Sequence, residues 1–390
     1  MTYQIKNDNQ QNHYKDMLIA ILPLIICGTV LYSSRVLLIC AVGLITARAV
    51  DVIVSMLRSQ EFDSSDYSSL YSALAFCMLL PVNVPLAVII ITVGLTTLVG
   101  KHLFGGKDVY PFNLTALAMC TAAVNWPGNV FSAVVPFSKV EFWSGLADST
   151  ISNAGIIKDG GVPYVSTFNM LLGNHSGVIG ADFILVVGSV ALFLYATKRI
   201  TWHIPVAFLT TCIIFAFLFP RVYGFSRFES VKFEMLNGAL IFSSVYMMNE
   251  PATTPNNPKA KLIFGVLVGV LSMLFRYFGG YEIGVCFALL IVNTVEGFID
   301  RCVEWRPMIE IKPTKPQDEQ EEINPEEPKK NKNSMGKIKN ADDAMELISE
   351  AEDSIDQVIY STRTIDIKNL LELEKLQNEH RNEGKKNDEL

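Results

Sequence analysis

Long apolar blocks separated by short polar turns recur along the first 300 positions, and they approach the length of about 20 helical residues that crosses a bilayer core. They predict helices over 17–32, 36–57, 70–80, 86–99, 112–130, 180–196, 204–219, 235–249, 262–275 and 283–299. Several are short on apolar length alone and borrow flanking residues. The chain therefore reads as an all-α polytopic membrane protein with about ten transmembrane helices. Residues 1–16 form a polar arm, too long and too weakly basic for a signal-peptide n-region, so no cleavage is expected. The transmembrane domain covers 17–300 and contains one long connecting segment, 131–178.

Charge divides the chain in two. Residues 301–390 carry 15 Lys/Arg and 22 Asp/Glu, which leaves 17 of each sign, from totals of 32 and 39, for the first 300. The front is neutral, and the tail carries the whole net charge of −7. No run of five to eight basic residues occurs, so nucleic-acid binding is not expected. Residues 301–336 read as a charged, Pro-rich linker and 337–390 as an acidic helical tail. In that tail Ala344, Ile348, Ala351, Ile355 and Val358 make an apolar stripe, which suits docking to a cytoplasmic partner or a solvated helix equally.

With ten spans both termini share one side. Lys and Arg number nine against seven in favour of a cytoplasmic N-terminus, and Arg301, Arg306, Lys312 and Lys315 add to the same side. Both termini are therefore expected in the cytoplasm and 131–178 outside it. Trp126, Trp202 and Trp305 fall near predicted helix ends, where amphipathic rings prefer to sit.

An internal repeat underlies the pattern. Ser72-Ala-Leu-Ala-Phe76, Pro81 and Leu103-Phe-Gly-Gly106 return as Gly238-Ala-Leu-Ile-Phe242, Pro251 and Tyr277-Phe-Gly-Gly280. Five helices per half force opposite topology, so the expectation is two inverted five-helix repeats with a site where Pro-broken helices meet. Asp51, Asp66, Asn113 and Glu250 are the polar groups nominated for that ion or central site. Arg48 and Asp51 lie three apart on one helix face, which suits either a mutual ion pair or a role in moving cations or protons. Lys101 and His102 are expected at the interface, and His175 and His203 as satisfied polar groups at helix edges. The seven cysteines (27, 40, 77, 120, 212, 286 and 302) form no C-x-x-C or Cys/His cluster, and the five histidines are scattered, so no metal site is expected. No hydrolase triad or phosphate loop is present, and no catalytic residue is nominated.

Six motifs, in order, resemble the D subunit of the Rnf ion-translocating electron transport complex, which is related to the B subunit of the sodium-pumping NADH:quinone oxidoreductase. They are Asp66-Tyr-Ser-Ser-Leu-Tyr-Ser72, Lys101-His-Leu-Phe-Gly-Gly106 with Tyr110-Pro-Phe-Asn113, Trp202-His-Ile-Pro-Val-Ala-Phe208, Asn249-Glu-Pro-Ala-Thr-Thr-Pro255, Leu262-Ile-Phe-Gly265 and Arg276-Tyr-Phe-Gly-Gly-Tyr281. The resemblance implies a ten-helix, inverted-repeat subunit in the cell (inner) membrane. Its partners would be the other subunits of a complex that couples electron transfer between ferredoxin and NAD to ion translocation. It also implies FMN bonded through its phosphate to a Thr in an Asp-x-x-Ser-x-Ala-Thr motif.

The matching stretch is Ser149-Thr-Ile-Ser-Asn-Ala-Gly155, in which Ser152 and Ala154 match but Gly155 stands where the acceptor Thr belongs. Ser149 occupies the Asp position, and Leu114 replaces a Pro after Asn113. Gly155 has no hydroxyl for a phosphoester, so the loop Ser152, Asn153, Ala154 and Gly155 holds FMN, riboflavin or another flavin non-covalently, or has lost flavin altogether. A stand-alone inverted-repeat transporter of a small solute or ion, and a flavin-free scaffold subunit, are the alternative functions.

Overall fold

A computed structural model describes residues 2–304 except Asp108, Tyr223, Gly224, Gly280 and Tyr281. The Pro-rich linker, the apolar stripe of the tail and Trp305 lie outside the described residues.

Helix dominates, as the apolar blocks predict, but the helices expected over 112–130 and 235–249 are broken, at Trp126 ahead of Pro127 and over 237–239, where Gly238 takes a φ of 80°. Residues Thr2–Leu31 form α1, Arg35–Leu57 form α2 and Ser68–Met78 form α3. Helix α4 (Leu86–Leu95) continues through a π-helical turn at Thr96–Lys101 and a tight turn at His102–Phe104. Helices α5 (Leu114–Asn125) and α6 (Pro127–Val130) lead into the connecting segment. There β1 (Ser132–Val134) pairs antiparallel with β2 (Ser149–Ile151), followed by α7 (Asn153–Lys158) and α8 (Thr167–Leu172). Then come α9 (Ile184–Ala196), α10 (His203–Leu218) and α11 (Arg227–Leu236). A short α12 (Leu240–Phe242) runs into a second π-helical turn, Ser243–Met247, and α13 (Pro258–Phe278) and α14 (Gly284–Glu304) complete the order.

Four helical stretches, Gln10–Leu31, Arg35–Leu57, Leu86–Phe104 and Pro258–Phe278, are long and apolar enough to cross a membrane, and α3, α5, α9 and α10 are shorter apolar helices. This is a polytopic membrane protein. Side chains such as Ile26, Ile45, Leu192 and Phe193 stand exposed on these helices, as a lipid-facing surface requires. Small residues let the helices approach closely. A Cβ on Gly265 would stand 2.9 Å from Ala207 Cβ, and one on Gly269 would stand 2.8 Å from Thr211 Cβ, so α10 and α13 meet along a glycine seam.

Near Pro81 the end of α3 meets residues 179–181. Helix α3 has 11 residues, about 16 Å of rise, roughly half a bilayer core. Its last carbonyls would be orphaned in hydrocarbon. Residues 179–181 satisfy them: Ile179 N donates to Leu80 O at 2.9 Å, and Gly180 N and Ala181 N donate to Met78 O at 3.0 and 3.1 Å. A Cβ on Gly180 would lie 2.6 Å from Met78 Sδ, so only glycine permits this approach.

Candidate functional site

The four nominated polar residues fall into two clusters. The first is built around Lys101, at the end of the α4 π-helical turn. A Cβ on Gly100 would lie 2.7 Å from Leu117 Cδ2, so glycine there lets this turn close onto α5 and carry Lys101 inward. The Lys101 side chain is wholly buried. Its Nζ lies 2.7 Å from Asp66 Oδ2 and 3.3 Å from Asp51 Oδ1, and it also donates to Ser69 Oγ. Asp66, just ahead of α3, accepts from Ser68 N at 3.1 Å and Ser68 Oγ at 2.7 Å. Asp51 on α2 accepts from Ser69 Oγ at 3.0 Å, and its Oδ1 lies 2.7 Å from His102 Nε2. Asp51, Asp66 and His102 face an open cavity that also reaches Arg58, Asp63 and Gly106.

This arrangement corrects one expectation. Arg48 does not pair with Asp51; it donates to Asp66 O and Ser64 O, both at 3.2 Å, and lies over the Phe62 ring. Lys101 is wholly buried, and His102 is mostly buried, its side chain 12% exposed. The reason is desolvation: a buried ammonium needs carboxylates at hand, whereas Arg48, half-buried, reaches loop carbonyls near the helix end.

The second cluster surrounds Glu250, in the turn after the second π-helical segment. Asn113 caps α5 by accepting from Ala116 N at 2.8 Å, and its Nδ2 donates to Glu250 Oε2 at 2.5 Å and Met247 O at 2.8 Å. Tyr110 OH donates to Glu250 Oε1 at 2.8 Å and lies 2.7 Å from Tyr14 OH. Tyr71 OH donates to Tyr246 O, and Tyr246 OH donates to Ala20 O at 2.7 Å. The Pro251 break is thus tied to α1, α3 and α5 by buried phenols and one amide.

Ser152–Gly155 lies elsewhere, at the start of α7. Ser152 caps that helix, accepting from Gly155 N at 2.9 Å, and its hydroxyl donates to Glu282 Oε2 at 2.7 Å. Asn153 and Ala154 are buried beside it. Glu282, in the turn between α13 and α14, is shifted up from the ordinary carboxylate range by burial, against which the Ser152 hydrogen bond works. A Cβ on Gly155 would stand 2.8 Å from both Glu282 Oε1 and Ile151 Cγ2. These residues do not fit a phosphate-bonded flavin: the acceptor hydroxyl is missing, and a side chain at 155 would meet the Glu282 carboxyl and Ile151.

Three buried charge networks escape sequence reasoning. Arg35, wholly buried at the start of α2, donates to Val82 O at 2.9 Å, Val84 O at 2.8 Å, Phe142 O at 2.6 Å and Trp143 O at 2.8 Å. Glu234 is wholly buried between Arg276 Nε at 2.8 Å and Arg221 Nε at 3.1 Å, with the Arg221 guanidinium over the Tyr277 ring. Glu282 is the third. The one available signal was an ionisable residue beside an apolar run, which marks a costly charge without naming its partner. The histidines also differ from expectation. His175 is buried with Nε2 unpartnered among the described residues, and His203 stacks on Trp202 with one ring nitrogen likewise unpartnered. Among the described residues no group of three His, Cys, Asp or Glu could hold a metal.

Comparison with known proteins matches this arrangement to one family. Residues 2–308 match the model of the NQR2, RnfD, RnfE family. The chain is 29% identical over 294 residues to the D subunit of the proton-translocating ferredoxin:NAD(+) oxidoreductase complex of Clostridium ljungdahlii, covering 73% of this chain and 87% of that protein. It is 28% identical over 317 residues to the D subunit of the ion-translocating oxidoreductase complex of Salmonella typhimurium, covering 73% of this chain and 90% of that protein. With most of its length matched and every quoted motif inside the matched region, the chain belongs to the NQR2, RnfD, RnfE family.

Proposed function

We propose that this chain is the D subunit of an Rnf-like membrane complex that couples electron transfer between ferredoxin and NAD to ion translocation, together with the other subunits of that complex. It crosses the cell (inner) membrane ten times in two inverted five-helix repeats, with both termini in the cytoplasm. Family membership supports the first statement. For the repeat, the support is that the basic residue ahead of each Phe-Gly-Gly sequence meets a buried carboxylate, His102 at Asp51 and Arg276 at Glu234.

The observation that carries an ion-path role is the buried ammonium of Lys101 between Asp51 and Asp66, opening through His102 to a cavity. Two carboxylates and one ammonium leave one negative charge, which an arriving proton or cation neutralises. The adjoining turn Thr96–Lys101 is π-helical, a geometry frequent at functional sites. The loop Ser152–Gly155 is read as a structural anchor on Glu282, without a phosphate-bonded flavin.

The test uses the assembled complex in inverted vesicles. Asp51→Asn and Asp66→Asn should leave subunit assembly intact and lower ion uptake several-fold per electron pair. Unchanged coupling in both variants would remove the ion path from this cluster, and solute transport by the chain alone in liposomes would favour the stand-alone transporter. For orientation, a single cysteine at the exposed Ser144 should label only from the non-cytoplasmic side.

A further inference from the structure

We propose that the chain carries a bound anionic phospholipid at the membrane interface where the apolar stretch of α1 begins, with the phosphodiester headgroup between Arg199 and Lys261 and one acyl chain in the groove between α9 and α10. A polar cavity of about 320 Å³ gathers Gln10 and His13 of α1, Arg199 and Thr201 of the α9–α10 turn, the 249–256 loop and Lys261 of α13. Arg199 and Thr201 lie in the turn before α10 and Lys261 in the first turn of α13, while Gln10 and His13 lie where the apolar stretch of α1, Gln10–Leu31, begins, the level at which headgroups lie. Among the described residues two cations line this cavity and no carboxylate does. Arg199 Nε pairs with Asp16 Oδ2 at 2.6 Å, while its two terminal nitrogens make no hydrogen bond among the described residues. Lys261 Nζ reaches Thr201 Oγ1 at 3.5 Å and forms no ion pair among the described residues. A cavity so lined suits an anion, and a guanidinium beside an ammonium suits a phosphate group in particular.

A soluble phosphate would satisfy that cavity alone; the neighbouring groove argues for a lipid. Along the turn the lining alternates: Arg199 and Thr201 face the polar cavity, whereas Ile200 and Trp202 line an apolar groove. Gly188, Ala191, Leu192 and Tyr195 continue that groove along one face of α9, a rise of about 10 Å into the hydrocarbon layer. A Cβ on Gly188 would meet nothing within 4 Å, so the groove is open there. Trp202, stacked on His203 with ring centroids 4.3 Å apart, stands at the junction, at the depth where indoles anchor. A charged cavity and an apolar groove sharing one four-residue turn match an amphiphile with an anionic head, and basic interfacial pockets between helices are suited to such headgroups.

The test is native mass spectrometry of the full chain, purified in non-ionic detergent and exposed to equal amounts of phosphatidylglycerol and phosphatidylcholine. One phosphatidylglycerol should be retained in preference. Lys261→Gln and Arg199→Gln should each weaken retention about tenfold or more, the scale of one charge-assisted hydrogen bond. Gly188→Phe, which fills open groove rather than packed protein, should weaken it with the cations intact. Removing the Lys261 charge orphans no carboxylate within ion-pair distance, so its variant stays informative if Arg199→Gln misfolds. Equal retention of the two lipids, or wild-type retention in the Lys261 and Gly188 variants, would overturn the proposal. So would displacement of the lipid by glycerol phosphate or inorganic phosphate at equal concentration, which would assign the cavity to a soluble phosphate.

Discussion

Ser152 Oγ donates to Glu282 Oε2 at 2.7 Å across 130 residues of sequence, joining the start of α7 to the turn between α13 and α14. The same carboxylate lies against the α-carbon of Gly155, so the residue missing for flavin attachment and the carboxylate replacing it are one structural feature.

The first prediction follows from that spacing. Gly155→Ala places a methyl 2.8 Å from Glu282 Oε1 and Ile151 Cγ2, which requires displacement and should cost about 1–3 kcal/mol, read by thermal unfolding of the full chain. Gly155→Thr should cost more, and co-expression with a flavin transferase should give no in-gel flavin fluorescence. Covalent flavin on the unmodified chain would sink this reading of the loop.

Glu282 gives a pH dependence. Its carboxyl titrates above the ordinary value in the folded protein because burial disfavours the charge. The folded state therefore holds the proton more tightly than the unfolded chain. The stabilisation is fully present below the unfolded value near 4.5 and is lost as pH rises through the raised folded value. Glu282→Gln keeps a partner for the Ser152 hydroxyl and should flatten that dependence in melts taken from pH 4 to 8 (roughly the window in which a raised carboxyl titrates). An unchanged slope would show that the Glu282 carboxylate is not its source.

Glu234 sits wholly buried between two arginines. Arg276→Met should destabilise the protein by about 3–5 kcal/mol, because it leaves a buried carboxylate short of its closest partner. Replacing Glu234 and Arg276 together with apolar residues should recover much of that loss. Additive losses in the double variant would contradict a mutual pair.

Arg35 holds four carbonyls from two segments with one planar group. Lysine offers a single point of donation and cannot span them. Arg35→Lys should free the 138–146 turn and speed tryptic cleavage at Lys139, with α2 itself still inserted. Unchanged cleavage would mean that the turn is held by its own hydrogen bonds, such as Ser144 Oγ to Glu141 Oε2 at 2.5 Å.

The apolar helices were mostly legible in the sequence because each is a local property, an apolar run ended near Pro81, by the Gly105-Gly106 turn with φ of 130° and 94°, or by a polar cluster, whereas α7, α8 and the polar α11 were not. Asn113 was nominated as a polar group of an ion or central site; its capping of α5 went unread, although a cap needs only the three residues that follow it. The absent hydroxyl at Gly155 could likewise be read from one letter. Pairing could not. Arg48 and Asp51 share a helix face, yet Asp51 takes Lys101 and His102, 50 and 51 residues away, once Gly100 lets α4 close on α5.

By itself the sequence determined which stretches are helical and apolar, where they break, and which family the chain belongs to, because periodicity, chain breakers and motif order act within a few residues. Only the tertiary structure decided that Asp51 and Asp66 share Lys101 while Asn113 and Glu250 meet elsewhere. Only there does Glu282 come against Gly155, and only there do Arg199 and Lys261 line one cavity beside an apolar groove. A buried charge must find its partner wherever the packed helices bring one within reach, and that distance is set by glycine-permitted approaches between elements rather than by spacing along the chain.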